Sequence, residues 1–158
     1  MRHLRAVGGV LFFFLALSGC GEGTPAEEKP GPEVLVHTVT AVFKVPGTFA
    51  EIPKMLGIGG YKTDELSINP DLIVAMISNP DIGVGKPYVF GQSGVKAAGI
   101  YYLGAILFVE GGGLGAMKPI EGKDWSTERT VATDFAGGDV DLGEFTLIPF
   151  PGLVPPKN

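Results

Sequence analysis

This chain is short of the residues on which most small-protein chemistry is built. It has one cysteine, two histidines and one tryptophan in 158 residues. A single cysteine excludes an internal disulfide framework and any cysteine-rich zinc site. Basic residues are few, 12 against 17 acidic ones, for a net charge of −5. That balance argues against nucleic acid as a partner. Long apolar runs are lacking too, and none approaches the roughly 20 residues that a membrane-spanning helix needs. Helical periodicity is scarce from Glu33 onward. What the chain does have is 45% hydrophobic residues, enough for a packed core and too many for disorder throughout. Its length is that of one domain.

The first twenty residues read as an address. Arg2 and Arg5 make a short basic segment, and Ala6 to Ala16 is apolar apart from Gly8 and Gly9. At about eleven residues this stretch has the length of a signal-peptide core. Leu17-Ser18-Gly19-Cys20 follows and resembles a bacterial lipobox. The resemblance implies removal of residues 1–19, diacylglycerol on the Cys20 thiol and an acyl chain such as palmitate on the new amine. The alternative is an ordinary secretory signal with a chance cysteine. Several acyl chains, each adding about 0.8 kcal/mol per buried CH₂, would anchor the protein stably. Gly21, rather than Asp, follows the cysteine. By the same resemblance this favours the outer membrane of the cell envelope.

Removing residues 1–19 takes away Arg2 and Arg5 and no acid, so the net charge falls from −5 to −7. Residues 20–33 then form the lipidated cysteine and a tether rich in Pro, Gly and charge, with no large apolar residue before Pro32. Such a segment stays solvated and extended, with a reach of roughly 40 Å.

Residues 34–149 read as one all-β domain, and 150–158 as a proline-rich tail. Val34 to Val45 alternates well enough for a strand, and Pro46-Gly47 stops it. Thr48 to Gly60 is ambiguous: Ala50, Met55 and Leu56 suit one or two helical turns, but Pro53 interrupts. Leu72 to Ile77 reads as a buried strand and Pro87 to Phe90 as a short one. Ile100 to Glu110 is apolar on both faces, the mark of a central strand. Arg129 to Asp134 and Val140 to Ile148 complete the set, the latter with a bulge at Gly143. About seven short strands separated by turns predict an antiparallel β-sandwich.

Two of these stretches carry a resemblance. Ala98-Gly99-Ile100-Tyr101-Tyr102-Leu103-Gly104-Ala105 resembles a strand of transthyretin-like, carboxypeptidase-regulatory-like β-sandwich modules, and Gly138 to Leu147 is similar to their closing strand. The likeness implies a module that binds, spaces or stabilises rather than one that catalyses.

Catalytic patterns are thin. Gly111-Gly112-Gly113-Leu114-Gly115-Ala116 fits a dinucleotide fingerprint only by letter, since Met117-Lys118-Pro119 opens no helix. His37 lies inside the first strand, and Ser93 does not fit a nucleophile elbow because position 95 is Val. No spacing selects a carboxylate pair among the acids. Calcium would require clustered oxygen ligands after the central strand. Only Glu110 stands there, with Glu121 and Asp124 further on, so the expectation is no metal site and no cofactor beyond the Cys20 lipid, with calcium as the alternative.

Trp125 sits in the polar run Lys123-Asp124-Trp125-Ser126-Thr127-Glu128. Aromatic faces can stack on glycan, with Tyr61 and Tyr88 as further exposed candidates; alternatively Trp125 plugs the end of the sandwich. The candidate ligand loop is therefore Trp125, Asp124, Glu110, Glu121 and Tyr88. The reading is a lipid-anchored, non-enzymatic binding or scaffold module of the envelope. Its partners are the membrane and an envelope protein or glycan. A lectin-like module is the rival, and a small hydrolase comes third.

Overall fold

The computed structural model describes residues 34–153. The lipobox, Cys20, the tether up to residue 33 and the tail from residue 154 lie outside the described residues. Those described form eight strands: β1 (Leu35–Lys44), β2 (Pro53–Tyr61), β3 (Leu72–Ser78), β4 (Tyr88–Ala97), β5 (Ile100–Val109), β6 (Trp125–Thr127), β7 (Val131–Asp134) and β8 (Val140–Pro149). A single 3-10 turn at Gly113–Ala116 is the one helical element among them. The all-β expectation holds.

The strands run in the order β3-β2-β5-β6-β8-β1-β4, with β7 also on β5. One layer is β4-β1-β8. The other is β3-β2-β5, with β6 and β7 occupying the two halves of the same β5 edge. β8 joins the layers. Its first part pairs with β1 up to Thr146, and from Leu147 it pairs with β6. The result is a sandwich nearly closed into a barrel. The β1–β8 pairing is parallel, which departs from the purely antiparallel expectation.

Simple alternation builds β1. His37, Val39, Ala41, Phe43 and then Val45 point inward, while Thr38, Thr40 and Lys44 point out, because successive side chains leave a strand on opposite faces. Phe43 stacks on Phe145 of β8 with centroids 5.5 Å apart. Leu56, Leu103, Leu107 and Leu147 are fully buried between the layers, each contributing about 2 kcal/mol by leaving water. β5 is central as its sequence predicts. Leu103, Ala105, Leu107 and Val109 enter the main core, whereas Ile106 and Phe108 join Met55 in a second cluster on the outer face.

Gly143 makes the expected bulge. Its φ is +71°, and the β1–β8 register shifts opposite it, a backbone that glycine adopts without cost. The stretches Ala98–Ala105 and Gly138–Leu147 contribute to β5 and β8.

Four expectations are corrected. Thr48 to Gly60 holds no helical turn, and β2 begins at Pro53 itself. A proline fits there because the first residue of a strand need not donate to the ladder. β3 is a strand but not a buried one. It ends the sheet, with Ile73 64% and Met76 49% exposed. β4 runs on to Ala97, carried past Gln92-Ser93-Gly94 by an irregularity opposite Thr38 where Gly94 has φ +81°. Trp125 opens β6 instead of lying in a loop.

Candidate functional site

The candidate ligand-loop residues are not brought together on one surface. Trp125 is 4% exposed and meets Phe49 edge-on, with centroids 5.1 Å apart. It plugs the sandwich and presents no face to solvent. Tyr88 is half-buried on β4, opposite Phe43 of β1, in the other layer. Glu110 is exposed and pairs with Lys54 at 3.0 Å. Glu121 is exposed beside Gly152.

Asp124 is fully buried, and its carboxylate is a structural pin. Oδ1 accepts the Val109 N–H at 3.0 Å. Oδ2 accepts the Gly113 N–H at 2.8 Å and the Ile120 N–H at 2.7 Å. These three bonds close the loop between β5 and β6. The fit requires glycine at two places: a Cβ on Gly112 would overlap the Asp124 carboxylate, and one on Gly113 the Lys118 carbonyl. Every bond to Asp124 is charge-assisted, the strong class of hydrogen bond.

His37 and Ser93 form no catalytic pair. The His37 ring points inward, where its Nδ1–H donates to the Gly138 carbonyl at 2.7 Å and its face meets Phe135. Ser93 is exposed on the outside of β4, 3.4 Å from the Thr38 hydroxyl. Among the described residues no group of three or more His, Cys, Asp or Glu side chains gathers around a point that could hold a metal ion.

A cleft of apolar character lies elsewhere, on the outer face of β3-β2-β5. Its volume is about 330 Å³, at the small end of ligand-sized sites. Gly57 and Gly59 of β2 form its floor. Ile73 and Met76 of β3, with Ile106 and Phe108 of β5, form its sides. The Ser67–Pro70 loop folds over one end. Met117 lines it from the segment that Asp124 pins. Pro70 sits directly over Gly59, whereas a Cβ at Gly57 would meet nothing closer than the Ile106 carbonyl at 3.9 Å. No charged residue lines the cleft.

Its polar groups gather at the Tyr61 end. Ser67 and Asn69 stand in the loop there, and the Tyr61 hydroxyl lies over Gly59. Tyr61 was expected to be exposed; it is buried, with 4% of its surface accessible. Burial pushes its phenol up to about 12, so it stays a neutral hydroxyl. It makes no side-chain hydrogen bond to another described residue.

Sequence reasoning missed this cleft. The available signal was Met55-Leu56-Gly57-Ile58-Gly59: glycines two apart on a strand leave one face bare. No protein-family model, curated protein or solved structure gives a significant match to this chain.

Proposed function

We propose that this protein is a lipid-anchored module of the bacterial cell envelope that binds an apolar ligand without transforming it. Cys20 carries the lipid, and residues 21–33 tether the domain close to the outer membrane. The observation that carries the binding role is the uncharged cleft over Gly57 and Gly59. Apolar walls with a few polar groups at one end are the usual composition of a small-molecule site. Two polar groups weighed for catalysis are held inside the fold, Asp124 by three backbone amides and His37 through its Nδ1 by Gly138. The glycan reading loses its motivating residue, because the Trp125 ring is packed on Phe49.

The anchor is tested in bacterial cells expressing the full chain and fed an alkynyl fatty acid. The protein should take up label and sediment with membranes. Cys20→Ser should stay unlabelled and keep residues 1–19. A Cys20→Ser protein that is processed and anchored like the wild type would refute the lipoprotein assignment.

A further inference from the structure

We infer that the cleft holds the alkyl chain of a neutral membrane-derived amphiphile, such as an acyl ester, with its polar end at Tyr61. This rests on the reading of the domain as a binding module. The floor is the first argument. β2 is paired along its length with β3 on one side and β5 on the other, so its amides and carbonyls are already satisfied. A peptide laid along this floor would find no ladder partners, and its own polar backbone would go unpaired at a cost. An alkyl chain needs none.

Shape and polarity agree. From Met55 to Gly59, where Pro70 and the Tyr61 hydroxyl close it, the floor extends roughly 13 Å at about 3.3 Å per residue, a narrow track. Three methionines, at 55, 76 and 117, line it. Their unbranched thioethers adapt to a flexible chain better than to a rigid ring system. The opposite end holds the neutral Tyr61 hydroxyl with Ser67 and Asn69. It suits the hydroxyl or ester of a neutral head. An ionised carboxylate would lack a counter-charge, since no cation lines the cleft.

The test uses the full chain in cells fed a long-chain fatty acid bearing a diazirine and an alkyne, which the cells esterify into lipid. After irradiation, crosslinked peptides are mapped by mass spectrometry. Label should concentrate on peptides carrying Met55, Met76 and Met117, well above those carrying the exposed Ile52 and Val89. Gly57→Ile puts a β-branched side chain on the cleft floor at a strand position where a Cβ has room and should cut cleft labelling at least five-fold while uptake at Cys20 is unchanged. Met76→Lys, at an exposed edge position, should do the same by placing a charge at the mouth.

Cleft labelling no higher than at Ile52 and Val89, or undiminished by both substitutions, would overturn the inference. So would crosslinks joining the Cys20 peptide to the cleft through one chain, which would make the occupant the protein's own anchor. Label in the cleft without label at Cys20 would support this inference and defeat the anchor. Label at Cys20 without label in the cleft would do the reverse.

Discussion

Replacing Asp124 by Asn isolates the value of the buried carboxylate, because shape is kept and only charge and one acceptor are lost. In the native fold two oxygens accept three backbone N–H groups at 3.0, 2.8 and 2.7 Å. Asparagine has one oxygen. Placed at the Oδ2 position it keeps Gly113 and Ile120 as donors, now to a neutral acceptor. Its NH₂ then faces the Val109 N–H, donor against donor. An unsatisfied buried N–H costs about 1–3 kcal/mol, and turning two charged bonds into neutral ones costs about 1 kcal/mol each. Relief from desolvating the charge offsets part of this. The net is about 3 kcal/mol, or a fall in Tm of about 10 °C for a domain of this size.

The sole tryptophan makes the assay direct. Trp125 follows Asp124 in the chain and is buried, so its emission reports unfolding in heat or denaturant without an added probe. The loop pinned by Asp124 also carries Met117, so cleft labelling should weaken in the same variant. Asp124→Ala leaves all three amides unpaired beside a cavity and should cost more than Asp124→Asn. A Tm change under about 2 °C for Asp124→Asn, equivalent to roughly half a kcal/mol, would show that the three bonds do not hold the loop.

Tyr61 predicts an alkaline limit. Because its folded pKa is about 12 against an ordinary value of 10.0, the folded state holds the phenol proton more tightly than the unfolded chain. That stability is fully present below pH 10 and is lost as pH rises towards 12. Tyr61→Phe should flatten this decline in a pH series of melting curves; an unchanged decline would assign it to other groups. Trp125→Ala should destabilise by about 3–5 kcal/mol through the cavity it leaves against Phe49. A stable Trp125→Ala protein that had lost binding to a glycan array would restore the lectin-like reading.

The parts of the fold legible in the sequence are those where side chains alternate. β1 and β5 were readable because Val39, Ala41 and Phe43, then Leu103, Ala105 and Leu107, repeat every second residue. The bulge at Gly143 was readable because glycine interrupts an otherwise regular run. β2 was obscured because Gly57, Gly59 and Gly60 erase the pattern and Pro53 looks like a break. β3 misled in the other direction. Leu72 to Ile77 is apolar enough to read as buried, yet Ile73 and Met76 form the rim of the cleft. Asp124 and Trp125 were hidden by polar neighbours, since the donors that bury Asp124 come from Val109, Gly113 and Ile120 rather than from its own run.

The same glycines that hid β2 make the strongest case that its outer face has a use. Glycine inside a strand costs roughly 0.5–1 kcal/mol relative to alanine. Gly59 has a packing reason, because Pro70 occupies the space a side chain would take. Gly57 has none: the space above it is open, and its neighbours Met76 and Ile106 are apolar. A β-branched residue there would improve strand propensity and cover apolar surface. A residue that sacrifices stability where nothing in the fold demands it is the pattern expected of a binding site, where activity and stability oppose each other. Gly57→Ile should therefore raise Tm while emptying the cleft. If it lowered Tm, the glycine would have a structural purpose, and the argument from the bare floor to a ligand would lose its first step.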